Sequence, residues 1–371
     1  MPTWAVAGAA GFIGSHVVEV LRAAGHRVIA TDRPGADLSV AREAGAEIRE
    51  ADLADPPTLR DTLEGCEIAV NGTGLFDLGA SHEVLARVNV AGAKAFADAA
   101  RSSRVRRLVH ISSVSIYGLP ERIPMNEDGP YHPRNPYEKT KLEGEQAVAG
   151  MHAPSFEVAV LRPTLVYGPR SRYGQGLFVA MLAQMRAFGG RRFPLLAGGP
   201  VGQHVHVRDV ARAAVLCGTH PEAAGRAFNV ADRVPLGFGE TVGALLDACG
   251  IQAAPRIKSR LVARAGIAAL AHAPSFAISR FNRQLQKGHE ILVSRGLAPQ
   301  LRPRLDRDWL QYFNGDFVFD TSRLASLGFT WEHPDLRTSI ADVVRWYEAA
   351  GWLPLPRAKR ETAETRREAT S

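Results

Sequence analysis

The chain has 371 residues, 46% of them hydrophobic, enough for one large core or two lobes. Its 45 basic and 38 acidic residues give a net charge of +7, which leaves nucleic acid, an anionic membrane surface or an acidic ligand open until the charge is located. Three isolated cysteines, Cys66, Cys217 and Cys249, lack disulfide or metal-site spacing, so a disulfide-framed secreted domain is excluded, no metal is expected, and buried thiols in a reducing cytosol fit.

Thr3–Ala7 reads as a strand and Phe12–Ala24 as a helix opening directly after a glycine turn. Arg27–Thr31 and Glu47–Glu50 read as the next strands, Pro56–Leu63 as a helix and Glu67–Asn71 as a fourth strand. His82–Arg101 reads as a long helix, Arg107–Ser112 as a fifth strand, Tyr137–Ala149 as a helix and Phe156–Leu161 as a sixth strand. This alternation predicts the α/β class and a Rossmann-type, doubly wound parallel sheet, with its ligand crevice at the carboxyl ends of the strands. After residue 165 the pattern becomes irregular and rich in Pro and Gly, which predicts a smaller C-terminal substrate-binding lobe. No run reaches the roughly 18 to 20 apolar residues of a spanning helix, and the residues before the first strand lead us to expect no signal peptide. A cytoplasmic protein is expected, at most peripheral on the inner face of a membrane.

Gly8-Ala-Ala-Gly11-Phe12-Ile13-Gly14 lies between the first strand and the first helix. Glycines there allow a tight turn, close backbone approach to a pyrophosphate, and close helix–strand packing. The helix start then offers free N–H groups and the positive end of its dipole. Asp32 ends the second strand; its carboxylate can accept both adenine-ribose hydroxyls and would repel a 2′-phosphate, which favours NAD over NADP. Arg33 beside it could stack on adenine or attract that phosphate. Asp52 and Leu53, after the third strand, are expected near the adenine, with helix capping as the plain alternative for Asp52. The expected division is 1–165 for the NAD-binding core with later segments returning to it, 166–355 for the substrate lobe, and 356–371 for a disordered tail of mixed charge.

Tyr137 and Lys141 are four residues apart on one helix and so share a face. A tyrosine is a poor base at neutral pH, but a neighbouring ammonium stabilises the phenolate and lowers its pKa. Ser113, at the end of a strand 24 residues before Tyr137, would reach the same crevice and polarise the reacting oxygen.

With these motifs the chain resembles the extended short-chain dehydrogenases/reductases, which include epimerase/dehydratase and 3β-hydroxysteroid dehydrogenase groups. The resemblance runs from Thr3 to Trp352 and is carried by the glycine turn, Ser112-Ser113-Val-Ser-Ile-Tyr117-Gly118, Tyr137-Glu-Lys-Thr-Lys141 and Arg162-Pro163-Thr-Leu-Val-Tyr167-Gly168-Pro169. His206-Val-Arg-Asp209 and Phe228-Asn229-Val-Ala-Asp232 extend it. It implies Tyr137 as acid/base and also as a cofactor contact, Lys141 also holding the nicotinamide ribose, Ser113 orienting the substrate oxygen, Pro163 in the cofactor site, and a homodimer through helices 82–101 and 137–149. Asn89 matches an asparagine that relatives use structurally, and packing is the expected role of Tyr117 and Tyr167. The fourth strand departs from the pattern: it ends Asn71-Gly72-Thr73-Gly74, where relatives carry a more apolar, alanine-rich segment.

Two anchors of the nucleotide-sugar members are missing. Leu165 stands where they carry an asparagine, and Gly202, four residues before His206, where they carry a phosphate-facing arginine. Arg170, Arg172 or Arg208 could compensate. The segment 248–289 holds no Asp or Glu and seven basic residues, Arg256, Lys258, Arg260, Arg264, Arg280, Arg283 and Lys287, which match the whole charge excess. Arg256, Arg260 and Arg264 are expected to share a helix face, and Ile278, Phe281 and Leu285 to form an apolar stripe beside the later cations. Such helices suit an anionic bilayer surface; a solvated basic face over a core stripe is the alternative. Aromatic interleaving is too sparse for nucleic acid. The expectation is an NAD-dependent oxidoreductase acting on a lipophilic alcohol such as a 3β-hydroxysteroid or a sterol 4-carboxylate. A nucleotide-sugar epimerase or dehydratase is the second reading, and a non-catalytic NAD-binding or membrane-docking protein the third.

Overall fold

The computed structural model describes residues 1–257, 259–305 and 315–354; the expected tail 356–371, Lys258, and the side chains of Arg256, Arg260 and Arg264 lie outside the described residues. The chain divides into two compact units, one of Met1–Val166, Gln203–Val234 and Phe317–Pro334, the other of Tyr167–Gly202, Pro235–Asp316 and the chain from Asp335 onward.

The first unit opens with β1 (Thr3–Ala7), α1 (Phe12–Ala23), β2 (Arg27–Thr31), α2 (Ser39–Glu43), β3 (Glu47–Ile48), α3 (Pro56–Leu63) and β4 (Ile68–Asn71). It continues with α4 (His82–Ala86), α5 (Ala93–Ser102), β5 (Arg107–Ile111), α6 (Pro136–Ala149) and β6 (Glu157–Pro163). A seventh strand, Ala227–Val230, arrives from much later in the chain and pairs with β6. The sheet runs Ala227–Val230, β6, β5, β4, β1, β2, β3, and its pairings are parallel.

Helices cover both faces, so the central strands are apolar throughout rather than alternating. Trp4, Ala5, Val6 and Ala7 of β1 are all buried. Trp4 and Val6 pack in a cluster with Val17, Val18 and Leu21 of α1; Ala5 and Ala7 pack with Leu59, Phe96 and Ala100 on the opposite face. The strand order reverses beside β1, between β2 and β4, which sets a crevice at the carboxyl ends of β1 and β4.

The expected helix 82–101 is interrupted by a π turn at Arg87–Gly92. The wider turn re-aims the chain locally, and Asn89 within it is buried against α6. Gly144 of α6 comes so near that a Cβ there would stand 1.9 Å from the Asn89 carbonyl oxygen.

The second unit contains the parallel strands Arg192–Leu196 and Gln252–Ile257 and the helices Gln175–Ala187, Phe238–Ala248, Arg260–Ala271, Ser275–Ser294 and Leu336–Ala349. Arg256 lies in a strand, so it does not share a helix face with residues 260 and 264. The expected stripe of Ile278, Phe281 and Leu285 also divides: Leu285 is buried and Ile278 half-buried, while Phe281 is 42% exposed. Helix Ser275–Ser294 turns Leu285 and Leu292 inward, and its Gly288 lies against Gln184 and Phe188. Among the described residues no helix is long and apolar enough to cross a membrane.

Candidate active site

The glycine turn sits at the reversal point. Gly8 has φ +73°, and a Cβ there would stand 2.8 Å from the carbonyl of Gly72. A Cβ on Gly14 would stand 2.0 Å from the Gly8 oxygen. A Cβ on Gly72 would itself stand 3.0 Å from the Ala7 carbonyl oxygen, so the end of β4 passes close to β1 and the turn. Gly11 is exposed and starts α1 with no side-chain cap and no acidic residue in its first turn. By contrast Asn135 caps α6, its Oδ1 accepting from the Glu138 N–H at 2.9 Å. The N–H groups over Phe12, Ile13 and Gly14 thus face the crevice without a competing carboxylate, which suits a pyrophosphate.

Asp32 stands at the carboxyl end of β2. Its Oδ2 accepts from the Ala10 N–H at 3.0 Å and its Oδ1 from the Arg33 N–H at 2.8 Å. Each oxygen keeps lone-pair capacity for a ribose hydroxyl. Ala51 N–H donates to the Asp32 carbonyl at 2.9 Å and brings the end of β3 alongside. Asp52 is exposed and accepts from the Ala54 N–H in a local turn, while Leu53 packs on Gly92. Pro163 is buried at the end of β6. The residues present fit a dinucleotide: small where it must approach, donor-rich at its phosphates, anionic at its ribose.

Lys141 and Ser113 lie at the carboxyl end of β5, and Tyr137 precedes Lys141 by one turn of α6. Lys141 is buried, and its Nζ donates to the Ile111 carbonyl at 2.9 Å. Burial pulls its pKa down to about 8, and Glu145 opposes that shift. Ser113 stands two residues past the end of β5; its Oγ accepts from the Ser115 N–H at 3.1 Å, which leaves the hydroxyl proton free to be donated. The Tyr137 ring meets Phe76 edge-on at 4.9 Å between centroids. Phe76 belongs to the loop after β4, and Asn89 ties that loop down: its Oδ1 accepts from Leu75 N–H at 2.8 Å, and its Nδ2 donates to the Leu75 carbonyl and to Thr140 Oγ1.

Sequence reasoning passed over Phe76 and His110. His110 is paired in register with Asn71 on the neighbouring strand, so the two side chains share a face. Both are buried; neither ring nitrogen of His110, nor Asn71 Nδ2, has a hydrogen-bond partner. Burial, reinforced by the Lys141 charge, pulls His110 down to about 3, so it is neutral. A histidine in a β-strand carries no periodic signal that would have singled it out.

Tyr117 and Tyr167 are packing residues. Tyr117 donates to Asn229 Oδ1 at 3.0 Å and accepts from Arg162, whose guanidinium is buried against Glu145 at 2.6 Å. Tyr167 is bonded to Ser339 at 2.6 Å. Arg208 pairs with Glu332 at 3.2 Å, and Arg172 stacks over Trp352. A Cβ on Gly202 would meet nothing within 4 Å. Among the described residues no group of His, Cys, Asp and Glu could hold a metal ion.

A profile of the NAD-dependent epimerase/dehydratase family matches residues 4–231. The UDP-glucose 4-epimerase of Mycolicibacterium smegmatis is 33% identical over 267 residues, covering 66% of this chain and 82% of that protein. The sterol demethylase protein B of Methylococcus capsulatus is 30% identical over 194 residues, covering 50% of this chain and 59% of that one. A UDP-glucose-4-epimerase structure from Stenotrophomonas maltophila with bound NAD superposes with a TM-score of 0.70 at 21% identity, over 94% of this chain and 99% of that one.

Proposed function

The chain belongs to the NAD-dependent epimerase/dehydratase family of extended short-chain dehydrogenases/reductases, and from that premise we propose that it oxidises a secondary alcohol on a lipophilic substrate, a 3β-hydroxysteroid or a sterol 4-carboxylate. One observation carries the choice of substrate. Gly202 stands where nucleotide-sugar members carry an arginine, and a Cβ there would meet nothing within 4 Å, so crowding at the main chain is not what keeps a side chain from this position, yet no cation stands there. The sterol demethylase protein B of Methylococcus capsulatus, 30% identical over its matched region, supports the same reading.

Gly8, Gly11, Phe12, Ile13 and Gly14 would hold the pyrophosphate, Asp32 the adenine ribose, Asp52 and Leu53 the adenine edge, with Arg33 beside it, and Lys141 and Pro163 the nicotinamide side. NAD⁺ bound there supplies the acceptor for the hydride that leaves the carbinol carbon. Ser113 donates its free proton to the alcohol oxygen and orients it. Tyr137 takes the hydroxyl proton, and the buried Lys141 ammonium stabilises the phenolate in surroundings that screen it little. The product is a 3-ketone; where a 4-carboxylate is present, the ketone accepts the electron pair as CO₂ leaves.

A second reading is nucleotide-sugar epimerisation or dehydration, favoured by the match to the Mycolicibacterium smegmatis epimerase over most of that protein's length. The two separate when nicotinamide absorbance is followed with NAD⁺ or NADP⁺ on 3β-hydroxysterols, sterol 4-carboxylates and aliphatic hydroxy acids, while UDP- and dTDP-sugars, whose epimerisation or dehydration returns the hydride and leaves no net NADH, are analysed for converted sugar by chromatography. Sterol turnover with NAD⁺, absent in Tyr137→Phe, supports the first reading. Sugar conversion without sterol turnover replaces it with the second.

A further inference from the structure

Helix Arg260–Ala271 turns an apolar face to solvent. Leu261 is 79% exposed and Val262 47%, and Ala265, Ala268 and Ala269 are exposed beside them. These positions recur at helical spacing on one side, while Gly266 faces Leu196 of the strand Arg192–Leu196. After a link of three residues, helix Ser275–Ser294 buries Leu285, His289 and Leu292 and exposes the opposite side. That side carries Phe276, 75% exposed, and then Arg280, Arg283 and Lys287, all exposed and spaced to lie in one row. Glu290 ends the row; among the described residues no carboxylate is ion-paired to the three cations.

From this arrangement we propose that helices Arg260–Ala271 and Ser275–Ser294 dock the protein on an anionic lipid bilayer. The apolar face of the first helix, with Phe276, enters the boundary of headgroups and acyl chains. Arg280, Arg283 and Lys287 meet lipid phosphates. Charge selects the occupant. A second copy of this chain would set like-charged rows against each other across a two-fold axis, in a segment of 42 residues, 248–289, without one carboxylate. A nucleic acid would gain little from the aliphatic Leu261 and Val262, which offer no ring for a base to stack on. An anionic bilayer satisfies both the apolar face and the basic row. The inference stands independently of the substrate proposed above.

The test is flotation of the full chain with vesicles of equimolar phosphatidylcholine and phosphatidylglycerol, against vesicles of phosphatidylcholine alone. Binding to the anionic vesicles is expected, weaker by about 10-fold or more on the neutral ones and in high salt. The variants Leu261→Ser/Phe276→Ser and Arg280→Glu/Arg283→Glu/Lys287→Glu change exposed side chains only; each is expected to lose binding while keeping the wild-type circular dichroism and melting temperature. Absence of wild-type binding to anionic vesicles overturns the proposal, as does undiminished binding by the folded variants. Sedimentation showing a dimer that Leu261→Ser/Phe276→Ser dissociates would assign the face to a second copy instead.

Discussion

The Lys141 ammonium donates to the main-chain carbonyl of Ile111 at 2.9 Å, two residues before Ser113. This bond fixes the middle of α6 to the carboxyl end of β5 and sets Tyr137, one helical turn earlier, over the same strand end. The bond also keeps a charge in a buried place, where it is costly to folding and useful to a neighbouring phenolate.

Lys141 has an ordinary pKa of 10.5, and burial lowers it to about 8 in the folded chain. The unfolded chain therefore binds more protons between those values, and stability rises with pH from about 8 to 10.5. Below pH 8 the full cost is present, on the order of 3 kcal/mol. Lys141→Met is expected to abolish turnover yet leave the melting temperature at pH 7 unchanged or higher, and to flatten the rise above pH 8. Thermal unfolding of both proteins across pH 7 to about 10.5 checks this.

Tyr137→Phe removes the proton acceptor while keeping the ring against Phe76. Turnover should fall by about 10²- to 10⁴-fold with cofactor binding preserved. Ser113→Ala should cost about 10²- to 10³-fold. Steady-state rates beside NAD⁺ titration by fluorescence measure the two effects separately. A loss of NAD⁺ binding in Tyr137→Phe would show that the residue serves the cofactor and not the proton.

Asp32→Ala deletes the carboxylate assigned to the adenine ribose and leaves Arg33 in place. NAD⁺ affinity is expected to fall by about 10- to 100-fold, the worth of a charged hydrogen bond, while NADP⁺ gains relative to it. Ala10 N–H also loses its acceptor, so a small drop in stability accompanies the change. The ratio of kcat/KM for the two cofactors is the readout.

Arg162 and Glu145 form a buried pair at 2.6 Å, their side chains 4% and 5% exposed. Arg162→Met strands the Glu145 carboxylate and should destabilise the fold by about 3–5 kcal/mol. Adding Glu145→Leu removes the stranded charge and should recover part of that loss. Urea unfolding of the single and double variants measures both steps.

The seven-residue glycine turn, the four-residue step from Tyr137 to Lys141 and the strand–helix alternation were all legible in the sequence, because each is a local period set by backbone geometry. So was the absence of acidic residues from 248 to 289. The tertiary structure alone decided which distant segments became neighbours. It brought Ala227–Val230 beside β6, and set the main chain of Gly72 against Gly8, which leaves no room for a side chain at position 8. It interrupted helix 82–101 with a π turn at Asn89, where α6 comes closest at Gly144. It turned Leu285 inward and left Leu261 and Phe276 outward, a choice that helical periodicity cannot make because several faces of those helices carry apolar residues. The local chemistry of each residue is written in the chain; its burial, and with it the pKa of Lys141 and the neutrality of His110, is set by packing between segments far apart in sequence.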